Sequence, residues 1–187
     1  SGKMGAAIAL EMANQGAQVH LVMGPSAVII NHPLIHRVDI KTAQEMYDEV
    51  HLVVQKVDIA IFSAAVADYR PLNPVDQKIK KKSDTLSMEL VKNPDILASV
   101  GAMDKKPFLV GFALETENEM QHAFAKAESK QTDLLVLNSM RDKGAGFGVD
   151  TNKITIIDKD KNISRFDTKP KTEVAKDIVH EIIKRIL

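Results

Sequence analysis

Two apolar rhythms take turns along this chain, one with helical spacing and one with strand spacing. Ala6-Ala-Ile-Ala-Leu-Glu-Met-Ala-Asn-Gln15 is rich in strong helix formers, and Gly16 stands where a C-terminal capping glycine belongs. Residues 18–23 predict a strand stopped by Gly24-Pro25, and residues 37–40 a short one. Thr42 and Glu45 have capping-box spacing and open a predicted helix to about residue 56, with Met46, Val50, Val53 and Val54 on one face. Residues 58–63 predict a buried strand and residues 86–91 a half-buried one. Asn93-Pro94-Asp95 reads as a helix start, with Asn93 as the cap of a short helix over 94–102. Residues 108–114 are almost continuously apolar, as a central parallel strand requires, and Gly111 marks a close backbone approach. A helix over 118–130, a buried strand over 133–138 and a flexible glycine-rich loop over 144–148 follow. Residues 153–157 and 163–166 predict a hairpin on the sheet edge. The last predicted helix, 171–187, turns Val174, Ile178, Val179, Ile182, Ile183 and Ile186 inward.

This alternation predicts one α/β domain: a Rossmann-like, doubly wound, mainly parallel sheet with helices on both faces and a C-terminal β-hairpin plus helix. The turn Ser1-Gly-Lys-Met-Gly5 opens the first helix directly. In a βαβ unit such a turn follows a strand, so the pattern predicts that a strand before Ser1 belongs to the sheet and is missing from this chain.

Composition narrows the function classes. The chain has 187 residues, a formal net charge of zero and no cysteine. Zero net charge gives no support to whole-surface attraction to nucleic acid or to an anionic membrane, so any basic site is local. The absence of cysteine fits a cytoplasmic protein; no apolar run is long enough to span a bilayer, and no signal peptide is visible. Without cysteine there is neither a disulfide nor a thiolate nucleophile. The pair His32 and His36 lacks the HExxH glutamate, and no protein-held metal is expected. Neither a GxSxG nucleophile elbow nor a GK[ST] phosphate loop occurs.

The candidate chemistry collects at strand ends. The strand at 58–63 runs into Ser63-Ala-Ala-Val-Ala-Asp-Tyr-Arg70, and Lys78-Ile-Lys-Lys-Lys82 follows after a loop with two prolines. Small residues admit a ligand to the backbone, and a local lysine cluster suits a polyanion such as a triphosphate. The Asn93-Pro94-Asp95 helix start, Phe112 and Glu115 near the end of another strand, and Lys126 and Lys130 one helical turn apart fall at the same predicted sheet edge.

Taken together, Ser1-Gly-Lys-Met-Gly5, Ala64-Ala-Val-Ala-Asp-Tyr69, Lys78-Ile-Lys-Lys81, Val91-Lys-Asn-Pro-Asp-Ile96, Gly111-Phe-Ala-x-Glu-Thr116 and the strand ending at Asn138 resemble bacterial phosphopantothenoylcysteine synthetase across essentially the whole chain. That resemblance implies an enzyme, a phosphopantothenate–cysteine ligase of coenzyme A biosynthesis that uses CTP with Mg²⁺. It implies Lys78 as the catalytic cation at the triphosphate, closed over by a flap at 80–84. It implies nucleotide contacts from Asp68, Lys78, Pro94, Asp95, Ile96, Leu97, Phe112, Lys126 and Lys130, and substrate contacts from Ala64, Ala65 and Asp68. The implied partners are 4′-phosphopantothenate, L-cysteine and CTP. A second copy of the chain is implied too, with the lysine-loop segment at the dimer interface. FMN is implied only through a fused or associated decarboxylase domain elsewhere in the full-length protein. The family also carries an asparagine just before the Ser1 turn, which lies outside this chain, so impaired catalysis by the 187-residue chain is expected. Two other readings stay open: a non-catalytic nucleotide-binding module, and an NAD(P)-dependent oxidoreductase on the same fold. The second is weakened because Met23-Gly24 stands where a ribose-binding acid should be.

Overall fold

The computed structural model of the chain describes residues 1–75, 77–80, 84–115, 117–139 and 149–186. The elements run α1 (Lys3–Asn14), β1 (Val19–Met23), β2 (Ile35–Asp39), α2 (Ala43–Val53), β3 (Ile59–Phe62), β4 (Tyr69–Pro71), β5 (Leu90–Lys92), α3 (Ile96–Gly101), β6 (Phe108–Glu115), α4 (Glu119–Ser129), β7 (Leu134–Ser139), β8 (Thr151–Asp158), β9 (Ile163–Pro170) and α5 (Lys171–Ile186). The main sheet has the order β3-β6-β7-β8-β9. Its first three strands are parallel, and β8 and β9 add antiparallel at the edge, so the predicted α/β class and edge hairpin stand.

Alternation along the strands sorts the core into two layers. Val110, Leu134, Val136, Ile154 and Ile156 face Val174, Ile178 and Ile182 of α5, with Ile8 of α1 beside them. Leu135, Leu137 and Ile157, from the opposite face of the same strands, pack with Ala113 on Ala123 of α4. Strands covered on both faces read as unbroken apolar runs, which is why β6 and β7 stood out in the sequence. Each fully buried Leu or Ile here contributes about 1.5–3 kcal/mol of transfer free energy.

Local signals behave as their chemistry requires. Thr42 Oγ1 accepts from the Glu45 N–H while the Glu45 carboxylate accepts from the Thr42 N–H, a complete capping box. Gly16 takes φ +91°, and the N–H groups of Gly16 and Ala17 close the end of α1 on Ala13 and Met12 carbonyls. At Gly111 an added Cβ would lie 3.0 Å from Leu97 and 3.1 Å from Thr132, so the bare backbone lets α3 seat on β6.

Three expectations are corrected. The strand predicted over 86–91 is only Leu90–Lys92, and Leu86, Met88 and Leu90 are exposed. Its partner β4 is three residues long and belongs to a separate two-stranded sheet, so no core lies beneath it. The cap of α3 is Asp95 and not Asn93: the Asp95 carboxylate accepts from the Ala98 N–H at 2.9 Å. Pro94 stands before that cap, and a residue preceding proline is disfavoured in the helical region, which keeps Asn93 outside the helix. Ile186 is exposed because α5 ends there, one turn past its last buried residue, Ile182. The 144–148 loop and most of the 80–84 flap lie outside the described residues.

One feature of the sheet was not foreseen in this form. β1 pairs only with β2, and β3 only with β6, among the described residues. A cavity of about 1920 Å³ opens between β1 and β3, walled by both strands together with α1 and α2.

Candidate active-site crevice

β3, β6 and β7 run parallel in one ladder, and β1 runs parallel to β2 in another. The α1 turn touches both Met23 at the carboxyl end of β1 and Ser63 just past the carboxyl end of β3, at one mouth of this cavity. The α1 turn closes that mouth. Gly2 caps α1 at φ +72°, and a Cβ there would strike Met23 Cε at 2.5 Å and Ser26 Oγ at 2.9 Å. Ser26 Oγ donates to the Ser1 carbonyl at 2.8 Å, holding the turn against the end of β1. A Cβ on Gly5 would lie 2.8 Å from Ser63 Oγ, so the same turn also abuts the end of β3. Helix N–H groups are thereby presented beside small residues, an arrangement suited to anionic groups.

The sequence-derived candidates divide into two groups. Ala64, Ala65, Phe112 and Lys126 line the crevice. Ala64 and Ala65 follow β3 with exposed backbone, Phe112 is half-buried on the main core cluster, and Lys126 reaches in from α4. Among the described residues no carboxylate pairs with Lys126, so its charge is available to an anion. Asp68, Lys78, Pro94, Asp95, Ile96, Leu97 and Lys130 lie off that lining. Asp68 and Lys78 are exposed on the β3–β4 connection and the β4–β5 loop. Ile96 is a core residue, so only its backbone can face a ligand. Lys130 is engaged with Asp95 at 2.6 Å. Burial raises the Asp95 carboxyl pKa, but the bonds from Lys130 and the Ala98 N–H and the nearby lysine charges outweigh it and hold the group below the ordinary range.

The structure also adds residues that sequence reasoning did not single out as contacts. Asn138, at the end of β7, lines the crevice, and its Oδ1 is buried with no partner among the described residues. Asn152 on β8 is buried; among the described residues its Oδ1 has no partner, and its Nδ2 reaches Met4 Sδ at 3.7 Å. Lys171 is buried at the start of α5 and donates to the Val149 carbonyl. Burial, then the neighbouring Lys3 charge, lowers its pKa, with Asp150 opposing. A lone Asn in a strand, or a Lys opening a helix, carries no sequence signal of this kind; only the sheet order brings these positions together.

A family model described as the DNA/pantothenate metabolism flavoprotein C-terminal domain matches residues 1–186. The chain is 46% identical over 184 residues to a protein named cysteine/cysteine sulfinic acid decarboxylase from an unknown prokaryotic organism, covering 98% of this chain and 51% of that protein. It is 41% identical over 187 residues to the coenzyme A biosynthesis bifunctional protein CoaBC of Haemophilus influenzae, covering 99% of this chain and 46% of that one. A crystal structure of the C-terminal domain of a CoaBC protein matches with a TM-score of 0.82 at 34% identity, over 100% of this chain and 83% of that one. The chain therefore spans about half the length of these curated relatives.

Proposed function

Because this chain belongs to the DNA/pantothenate metabolism flavoprotein C-terminal domain family, we propose that it is the phosphopantothenate–cysteine ligase unit of a coenzyme A-forming protein, driven by CTP. The observation that carries this reading is the crevice itself: exposed Ala64 and Ala65, the α1 turn and Lys126, which no carboxylate pairs among the described residues, line one cavity. In the first step a carboxylate oxygen of 4′-phosphopantothenate attacks the α-phosphorus of CTP, the bond to the bridging oxygen breaks, and pyrophosphate leaves. The product is an acyl-cytidylate. In the second step the cysteine amine attacks the acyl carbon, loses a proton, and expels CMP as the amide forms.

Both steps bring anions together, so positioning and positive charge matter more than a covalent nucleophile. In this reading Lys78 and Lys126 stabilise the triphosphate, with Lys130 beside them. Pro94, Asp95, Ile96 and Leu97 present the α3 turn, and Phe112 packs near the base. Asp68 contacts nucleotide or the pantothenate hydroxyl, and Ala64 and Ala65 offer backbone groups to the acid substrate. Mg²⁺ enters as the counter-ion of the triphosphate, since it favours phosphate and water oxygens over a protein cage. No cluster of three or more His, Cys, Asp or Glu is placed to hold an ion among the described residues. FMN belongs to a decarboxylase domain outside these residues.

Three structural proposals accompany the reaction. A parallel strand of the same protein fits between β1 and β3 and completes one sheet, since neither facing edge has a strand partner among the described residues. The β4–β5 arm, with Tyr69, Leu86, Met88 and Leu90 exposed, joins a second copy of the chain. The domain works in the cytoplasm; among the described residues no helix is long and apolar enough to cross a membrane.

The test is turnover by the full-length protein with CTP, Mg²⁺, 4′-phosphopantothenate and cysteine. Equal amounts of phosphopantothenoylcysteine, CMP and pyrophosphate are expected. Nucleotide binding with no cysteine-dependent product would instead favour a non-catalytic nucleotide module.

A further inference from the structure

We propose that Asn93 is a positioning residue that fixes the distance between the crevice lining after β3 and the turn that enters α3. The first is the Ala64–Asp68 segment, of which Ala64 to Ala67 line the crevice; the second is the Pro94–Leu97 turn, which lies off that lining and joins it through Asn93. The role rests on the functional reading above, but the clasp itself rests on geometry alone.

Asn93 is a buried polar residue, 9% exposed, between β5 and α3. Its Nδ2 donates to the Ala67 carbonyl at 2.8 Å, and its Oδ1 accepts from Arg70 Nη1 at 3.0 Å. Its backbone N–H donates to the Asp68 carbonyl at 2.8 Å. Arg70 Nη1 also reaches the Lys92 carbonyl at 3.2 Å. One residue thus bonds positions 67, 68 and 70 across a gap of more than twenty residues in sequence. On its other side Pro94 has a restricted φ, and Asp95 caps α3 and holds Lys130. A movement of the β3–β4 connection is therefore transmitted through Asn93 to the start of α3.

The side-chain chemistry is specific. A carboxamide offers a donor and an acceptor at opposite corners of one plane. Aspartate at this position would keep the acceptor for Arg70 but would set a negative oxygen against the Ala67 carbonyl. Serine or alanine would reach neither partner. Asn93 itself is buried, so a polar group left there without its bond is poorly hydrated, whereas the Ala67 carbonyl and the Arg70 guanidinium belong to exposed residues.

Asn93→Asp in the full-length protein separates a clasp from a passive buried amide. Amide hydrogen exchange is read first, because it needs no ligand. Exchange should rise at least tenfold in peptides covering 64–70 and 93–99 together, while β6 and β7 keep wild-type protection. The steady-state readout should show KM for CTP and for 4′-phosphopantothenate rising together, each about tenfold or more, with a smaller fall in kcat. If Asn93→Asp does not fold, Arg70→Gln, which removes the bonds to Asn93 Oδ1 and to the Lys92 carbonyl but leaves Asn93 Nδ2 on Ala67, is read by the same exchange experiment with a smaller expected rise. Faster exchange in only one of the two segments, or unchanged KM for either substrate in a folded variant, overturns the proposal. A wild-type protein that shows no nucleotide-dependent activity overturns the ligase reading, and the exchange result then still decides whether Asn93 is the clasp.

Discussion

Lys130 Nζ stands 2.6 Å from Asp95 Oδ2, which ties the C-cap of α4 to the N-cap of α3. Asp95 has two separable jobs, capping α3 and holding Lys130. Asp95→Ala should cost about 1 kcal/mol or more through the lost cap. Asp95→Asn keeps a capping oxygen and should lose only the pair, worth a few tenths of a kcal/mol to about 1 kcal/mol at this half-exposed site. Urea unfolding of both variants checks the order. If Lys130 serves a phosphate, Asp95→Asn should also strengthen nucleotide binding, because the ammonium no longer has to leave a carboxylate.

Acid should find two weak points. Burial raises the Asp158 carboxyl pKa, but hydrogen bonds from Asn162 and from Arg185 Nη2 at 3.2 Å prevail and leave it below the ordinary range, as at Asp95. A carboxyl with a depressed folded-state pKa contributes stability above its unfolded value, near 4, and that contribution fades as pH falls through the folded-state pKa. Thermal melts from pH 6 downward should therefore show a steep acid loss in the wild type and a shallower one in Asp158→Asn. Parallel curves for the two proteins would contradict this assignment.

The β4–β5 arm gives the dimer proposal a simple test. Leu90, on this two-stranded sheet, is 55% exposed, and Leu86, in the segment that leads into it, is 67% exposed. Sedimentation equilibrium should find a dimer, and Leu90→Asp should shift it to monomer without changing the far-ultraviolet circular dichroism. A wild-type monomer at micromolar concentration would remove the arm from the account.

The gap between β1 and β3 makes a different kind of forecast. Their facing backbone groups have no ladder partner among the described residues. In the full-length protein, amides on those edges should exchange far more slowly than in the 187-residue chain, as expected for a strand seated between them. Equal exchange in the two proteins would mean that the slot stays open.

Much of this architecture was legible because its signals are local or strictly periodic. The Thr42–Glu45 capping box, the left-handed Gly16 and the apolar runs of β6 and β7 each depend on neighbours within a few residues or on burial of both faces. Gly111 was legible as a close approach, though not that Leu97 makes it. What stayed hidden depends on long-range pairing. Asn93 reads as a helix cap because Asn-Pro-Asp is a strong start signal, yet the cap passes to Asp95 and the Asn93 amide goes to Ala67 and Arg70. Leu86 and Met88 read as a strand by alternation, but no layer lies beneath them. The candidate site was partly legible: the motifs named Ala64, Ala65, Phe112 and Lys126, which line the crevice. Lys78, Asp68 and the α3 turn stand outside that lining. Asn152 and Lys171 became visible only once β8 and α5 were in place.

Oxygen transfer from the acid substrate tests the central claim most directly. The full-length protein is given 4′-phosphopantothenate labelled with ¹⁸O in its carboxylate, together with CTP, Mg²⁺ and cysteine, and the released CMP is weighed by mass spectrometry. Attack of the carboxylate on the α-phosphorus followed by amide formation places one ¹⁸O in CMP and none in pyrophosphate. Unlabelled CMP alongside amide product, or label in the pyrophosphate, would contradict the acyl-cytidylate route.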